Sequence, residues 1–491
     1  MNEYLHGAYG KVNAVGIRVP ALANSAIVYI GTAPIQQLPK EQWNINKPVV
    51  VENMADARAK FGYSDDFASY TLCEAMKVHF DMKGVGPLIF INVFDPDAHK
   101  GTGFSQPFVP QNGRLLLNID NTIYDSIELT PDQGDKLTPD VDYTLTYDYN
   151  RMMLVAVELK KGAFGKGNVI VKSNSTMPEK VTGDDIIGTT NDMGLNTGAY
   201  VLRDVYSATG FIPSYVAAPG WLSDPDVHDA LASMTKKIAG HWDAYMFVDL
   251  PLTDGETALT MKTIAAWKES NGYNRDNETV YWPLVLGTDG KKYHLSVLAA
   301  ANFQAMLKEN DGVPYNSASN TDAGIIQNLY IGENEKNRLY NDEIINAYLN
   351  KNGIASATYM GGHWVIWGAH SAEYDQEKGD SINVAETNLM MLYYVSNDFQ
   401  HRRSVDVDKP MTPNDIKSIV AEEQIRLDAL VKVGALTYGV VHQNASRDAR
   451  SDVINGDFSF LFDVTTTPLA KSLTAIVNWT DDGFKTYFQD Y

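Results

Sequence analysis

Two hydrophobic patterns divide the chain. The first is the continuous apolar run. Residues 26–33, opening Ala26-Ile27-Val28-Tyr29-Ile30, read as a strand buried on both faces. Residues 49–51 predict a shorter strand. Asn53 is placed to cap a helix reaching Phe61, which Gly62 closes. Asp66 predicts the cap of a second helix to about Lys83, with Leu72, Met76 and Phe80 on one face. Residues 87–94 are the next buried strand. Strand, helices, strand is the opening of an α/β sheet.

From 104 to about 181 only strands and turns are predicted. The β runs are 114–119, 122–129, 143–147, 152–159 and 168–172. Turn residues separate them at Asp120-Asn121, Pro131-Asp132-Gln133-Gly134, 148–150 and 162–167. This spacing predicts a small β-sandwich or barrel inserted into the α/β pattern. The α/β pattern resumes after Gly194. Strands are predicted at 214–218, 244–249, 280–286 and 363–367, with another after Gly353-Ile354. Helices are predicted at 225–239, 257–270, 296–307 and 342–349. Asp224 caps the first of these, with Pro225 at its first position. Thr412 and Pro413 open a long helix to about Val433.

The two ends differ from the rest. Residues 1–20 have no helical period, three glycines (Gly7, Gly10, Gly16) and spaced aromatics (Tyr4, Tyr9). Near the other end, Phe458, Phe460 and Phe462 alternate in a strand pattern over 458–464. A Thr-rich turn around Pro468 leads to a second β-prone run, 473–479, and a strand so near a chain end needs a partner, either the chain's own sheet or another chain. The fold class is therefore an α/β core (a mixed sheet with flanking helices), an inserted all-β domain and extended terminal β arms. The divisions are an N-terminal arm over 1–20, a first part of the core over 21–103 and the inserted domain over 104–182. The α/β core proper runs over 183–410. A helix-plus-strands domain over 411–491 ends in an arm from about 470.

The 491 residues suffice for about three domains at roughly 150 residues each. A net charge of −21 argues against a nucleic-acid partner, which would need a basic footprint. Cys73 is the one cysteine, so no intrachain disulfide and no multi-cysteine metal site can form. Its neighbours Tyr70, Leu72 and Met76 place it inside. The N-terminus lacks the basic and apolar regions of a signal peptide. No run approaches the ~20 apolar residues of a membrane span, so a soluble protein made in a cytoplasm, without membrane insertion, is expected.

The search for enzymatic chemistry turns up little. Gly162-Ala163-Phe164-Gly165-Lys166-Gly167 lacks the strand-loop-helix setting of a phosphate loop and reads as a hairpin turn. His363 and His370 read as packed or surface residues. Asp249 and Asp254 follow a strand's C-terminal end, where α/β enzymes place catalytic groups, but no acid, base or nucleophile accompanies them. Trp282, Trp364 and Trp367 read as core. No catalytic, metal or cofactor-binding residue is assigned.

Five segments in chain order carry a family resemblance. They are Leu202-Arg203-Asp204-Val205 with 213–220, then 243–251, Leu349-Asn350-Lys351-Asn352-Gly353-Ile354, Trp367-Gly368-Ala369-His370-Ser371, and 458–477 with Pro468 between two strands. Together they resemble the contractile tail sheath proteins of bacteriophages and phage-tail-like particles. His370 stands where that family commonly has Arg. The resemblance implies a structural subunit without cofactor, assembled in a bacterial cytoplasm into a particle's tail. Hexameric rings would stack helically around an inner tail tube, in contact with baseplate and tail-terminator proteins, and contract to drive the tube through a cell envelope. It also implies that terminal arms add strands to neighbours' sheets, here through Tyr4, Leu5 and Tyr9 at one end and Leu473, Ile476, Val477 and Trp479 at the other. Phe458, Phe460 and Phe462 would form the edge of the subunit's own sheet, and the inserted domain would decorate the exterior. The alternatives are an α/β hydrolase-like enzyme with a β accessory domain, or a baseplate component of the same particle.

Overall fold

A computed structural model describes residues 25–332, 340–376, 385–444 and 449–488. Tyr4, Leu5 and Tyr9 lie outside them, as do Gly7, Gly10 and Gly16. The chain enters at β1 (Ser25–Gly31), apolar and buried on both faces, followed by β2 (Pro48–Val51). The Asn53 side chain accepts from the Asp56 N–H at 3.1 Å and starts α1 (Met54–Phe61); Gly62, at φ +72°, ends it. The expected cap at Asp66 is corrected. Its carboxylate accepts from the Ser69 N–H and makes a turn. The helix starts later, as α2 (Thr71–Met76), and widens into a π-helix over Lys77–Lys83 before Gly84. The wholly buried β3 (Leu88–Asn92) follows.

The β-rich stretch holds β4 (Phe104–Phe108), β5 (Arg114–Leu117), β6 (Glu128–Pro131), β7 (Tyr143–Asp148), β8 (Met153–Glu158) and β9 (Val169–Ser173). They form two three-stranded antiparallel sheets, ordered β4-β9-β6 and β5-β8-β7. Leu115, Leu129, Tyr143, Ala156, Phe164 and Val171 make an apolar cluster of their own within this stretch. The expected strand at 122–129 is a 3₁₀ turn (Tyr124–Ser126) followed by β6. The unexpected β4 carries Pro107, which has no N–H to give and is tolerated at a sheet's edge.

Two short helices, α3 (Gly183–Ile187) and α4 (Val205–Thr209), lead back to the core. Then come β10 (Ile212–Ala217), α5 (Pro225–Met234), β11 (Tyr245–Asp249), the small hairpin β12 (Thr253–Asp254) and β13 (Thr257–Ala258), α6 (Ile264–Ser270) and β14 (Glu278–Tyr281). After them run β15 (Leu284–Gly287), β16 (Lys292–Tyr293), α7 (Leu295–Glu309), β17 (Ile326–Tyr330), α8 (Asp342–Tyr348), β18 (Ile354–Met360) and β19 (His363–Trp367). Three expectations change here. α5 stops at Met234 because Lys237 and Ala239 adopt left-handed backbone (φ +55° and +52°) in the turn that follows. The helix expected from 257 begins at Ile264, because Gly255 at φ +56° closes the β12–β13 hairpin first. The strand expected at 280–286 divides at Pro283 into β14 and β15, which join different sheets.

The main sheet has the order β19-β18-β14-β11-β10-β1-β3-β2. The six strands from β18 to β3 are parallel, and antiparallel β19 and β2 close its edges. β15, β16 and β17 form a separate small sheet.

The C-terminal part consists of α9 (Glu386–Arg403), α10 (Pro413–Lys432), β20 (Leu436–Gln443), α11 (Ala449–Asn455) and β21 (Phe460–Thr466). A capping box between Thr412 and Asp415 starts α10 where the sequence predicts it. β20 and β21 pair as an antiparallel ribbon. α10 lies against β20 closely enough that a Cβ on Gly439 would sit 3.1 Å from Leu427 Cβ. An ionic network braces α9 to α10. Arg402 grips both oxygens of Glu423 at 2.6 Å and donates to Asp398 at 2.9 Å. Arg426 reaches the same Asp398 at 2.6 Å, and Arg403 contacts Glu423 and Glu422 at 2.6 and 2.8 Å. Burial would raise the Glu423 carboxyl, but Arg402 and Arg403 outweigh it and hold the group below the usual range. Glu423 is 2% exposed, so removing it takes the shared buried carboxylate from two half-buried guanidinium groups. Glu423→Ala is expected to cost on the order of 3 kcal/mol, measured by denaturant unfolding of the unassembled chain. A change within about 0.5 kcal/mol, the size of an ordinary surface substitution, would show the network to be neutral.

Candidate assembly interface

Doubly wound sheets bind ligands outside the carboxyl ends of their strands, where the strand order reverses. In this sheet the order reverses between β1 and β10. The opening of α2 fills that place. The Thr32 N–H donates to Thr71 Oγ1 at 3.3 Å, the Thr71 N–H donates to Thr32 Oγ1 at 3.1 Å, and the Leu72 N–H donates to the Thr32 carbonyl at 3.0 Å. A Cβ on Gly31 would lie 2.2 Å from Thr71 Oγ1. Glu74, fully buried on the same helix, accepts from the His294 backbone N–H at 2.5 Å and contacts its Nδ1 at 2.7 Å. Asp249 accepts from the Ser296 N–H at 3.1 Å and from the Ser296 hydroxyl, at the start of α7. Asp249 is thus engaged in joining β11 to α7, while Asp254 is exposed in the β12–β13 hairpin. His370 stacks on Tyr374 with ring centroids 4.0 Å apart, and His363 is exposed. Trp282 is fully buried. Burial pushes the Cys73 thiol up to about 12, which leaves it protonated and inert. Among the described residues no group of three or more His, Cys, Asp or Glu side chains could hold a metal ion, and no helix is long and apolar enough to cross a membrane.

The open chemistry lies at the β20–β21 ribbon. The Asn444 N–H donates to the Ser459 carbonyl at 3.0 Å, and this fixes the alternation of the ladder. Backbone groups of Leu461 and Asp463 face β20; those of Phe460, Phe462 and Val464 face away and meet no partner among the described residues. Phe460 and Phe462 turn their rings onto Phe399 of α9, at centroid distances of 5.7 and 5.4 Å. Phe458 precedes the strand.

The tail beyond β21 is pinned at its root and then runs free. Thr466 Oγ1 donates to Asn388 Oδ1 at 2.6 Å, and Thr467 Oγ1 donates to the Gly434 carbonyl at 2.6 Å. Lys471 Nζ donates to the Tyr374 hydroxyl at 2.8 Å and lies 5.1 Å from the centre of that ring. Among the described residues, 473–479 form no strand and pair with no other strand of the chain. Leu473, Ile476, Val477 and Trp479 are 90, 83, 90 and 81% exposed. Sequence reasoning found these residues by their β pattern but not what anchors them, because Lys471 and Tyr374 are 97 positions apart.

No family model matches the chain. Over 257 residues it is 30% identical to the tail sheath protein of Burkholderia phage BcepMu, an alignment covering 51% of this chain and 49% of that protein. The chain thus spans about half the length of the curated relative it matches. Its structure aligns with the helical sheath of the anti-feeding prophage in the contracted state, at TM-score 0.54 and 14% identity over 98% of this chain and 100% of that one. A contracted sheath complex of an extracellular contractile injection system (PVC) aligns at TM-score 0.54 and 11% identity, over 99% of each chain. The chain has the fold of a contractile-sheath protein. A subunit of the anti-feeding prophage baseplate also shares it, at TM-score 0.56 and 13% identity over 98% of this chain and 99% of that one.

This sheath fold keeps the doubly wound strand order while its own residues seal the crevice, and the seal is titratable. Burial works against a charge on His294, but Glu74 and then Asp249 outweigh it and raise the imidazole to about 9. A group raised on folding adds stability that is complete below its unfolded value, about 6.5, and is lost as pH rises through the folded one. The unfolding midpoint should therefore fall between about pH 6.5 and 9, and His294→Gln should flatten that fall. Parallel pH profiles for the two proteins would show that protonation of this pair is not linked to folding.

Proposed function

We propose that this chain is the structural subunit of a contractile tail sheath, polymerising by strand donation between copies. One observation carries the reading: an unpaired strand edge at β21 coexists with an exposed, β-prone apolar tail in the same chain. Each could satisfy the other across copies, with the tail's root fastened at Thr467 and Lys471. The part-length likeness to a phage tail sheath protein and the shared fold with contracted sheaths support it. Copies would form hexameric rings stacked helically around an inner tail tube, assembled in a bacterial cytoplasm. They would contact baseplate and tail-terminator proteins at the ends. Tyr4, Leu5 and Tyr9 of the N-terminal arm would add a second tether. The β-rich stretch from β4 to β9 would sit on the exterior.

The energetics assign the roles within the tail. Seven donated residues gain roughly 4–6 hydrogen bonds worth about 0.5–1.5 kcal/mol net each. Ordering them costs about 1–2 kcal/mol apiece. Hydrogen bonding alone does not hold the strand. Burial of Leu473, Val477 and Trp479, about 1.5–3 kcal/mol each when complete, is what tips the balance. Two arms per subunit reinforce one another by raising effective concentration. On contraction the cores would repack as rigid bodies while the arms keep them tethered.

The likeness to a baseplate subunit keeps a second reading, a baseplate component of the same particle. A baseplate component would give closed rings where a sheath gives tubes. Truncation after Thr467 should leave the core folded by circular dichroism and abolish tubes under negative-stain microscopy. Tubes formed by the truncated chain would contradict strand donation by the tail.

A further inference from the structure

The ribbon has two outer edges, and they are not equivalent. On β20 the backbone groups of Gly439 and Val441 face away from β21, as the ladder's alternation requires. One group of each is already taken. The Val441 N–H donates to Gln424 Oε1 at 3.1 Å, and Gln424 Nε2 donates to the Gly439 carbonyl at 3.0 Å. The second hydrogen of Nε2 goes to Asp428 Oδ1 at 2.8 Å. Only one orientation of the amide meets all three contacts, so Asp428 sets the side chain's direction. Gln424 offers β20 one acceptor and one donor, spaced to meet residues two apart, as a neighbouring strand would.

We infer that Gln424 guards the β20 edge and thereby directs the donated strand of a second copy onto β21. This rests on the strand-donation reading above. The occupant is residues 473–479 of the other copy's tail. They number seven, as β21 does, and their alternation fits. In a strand Leu473, Ala475, Val477 and Trp479 share one face. That face continues the apolar one made by Phe460, Phe462 and Val464, whereas Leu461, Asp463 and Thr465 are exposed on the other. A strand docking on β20 would first have to displace an amide held by three hydrogen bonds. Docking on β21 displaces only water. An exposed edge with free amides and carbonyls is a template for strand addition, and a chain with two such edges has no defined register of assembly. Gln424 obstructs one of the two, at Gly439 and Val441.

The test is cross-linking between copies. Thr474→Cys in one full-length chain is mixed with Asp463→Cys on β21, or with His442→Cys on β20, in another, and treated with a short bismaleimide; native Cys73 is buried. With Gln424 in place, links to position 463 should exceed links to position 442 roughly tenfold, as displacing these hydrogen bonds implies. Gln424→Met keeps the side chain's length and packing without the amide and should bring the two yields close together. Gln424→Ala should do the same. Equal yields with Gln424 intact, or an unchanged ratio in Gln424→Met, would overturn the guard. If no pair links in any background, strand donation itself falls and the guard with it.

Discussion

Backbone amides and carbonyls on an outward strand edge must find partners, and β21 leaves such groups of Phe460, Phe462 and Val464 without them among the described residues. A few residues on, the same chain exposes Leu473, Val477 and Trp479. Neither feature suits an isolated subunit, since an open edge and an apolar tail are both aggregation liabilities. Together they are complementary. Thr466, Thr467 and Lys471 fasten the root to Asn388, Gly434 and Tyr374, and the residues beyond are exposed.

The rest of the C-terminal part serves to hold the edge still. Arg402, Arg403 and Arg426 tie α9 to α10 through Asp398, Glu422 and Glu423. α10 supports β20 from Leu427, and α9 supports β21 from Phe399. Charged networks give weak net stability but strong geometric definition when every member is partnered. The main sheet adds a stiff body behind this. Its central strands are buried on both faces, and the crevice where a related topology would bind a ligand is occupied by Thr71 and by Glu74 with His294. Sealing that crevice would suit the structural role proposed above.

Local chemistry made much of this fold legible in the sequence. The caps at Asn53, Asp224 and Thr412 and the buried runs of the parallel strands act over a few residues, and the structure places them where the pattern does. The failures have physical causes of the same scale. α9 carries apolar or aromatic side chains at every position from Leu389 to Val395, so it shows no stripe to mark it as a helix. Asp66 has the chemistry of a cap but makes a turn, because the helix start is set by Thr71 packing against Thr32. At the interface the period-two pattern found Phe460 and Phe462 and the tail run. It gave no sign of Gln424 or of the Lys471–Tyr374 contact. Those are single polar side chains whose roles come from where tertiary packing puts them, and no spacing announces that.

Hydrogen exchange measured on the unassembled chain and again on the assembled one tests the central claim most directly. Amides of Phe460, Phe462 and Val464, and those of residues 473–479, should exchange quickly in the free chain and become protected together on assembly. Assembled particles in which both segments still exchange as fast as in the free chain would contradict it.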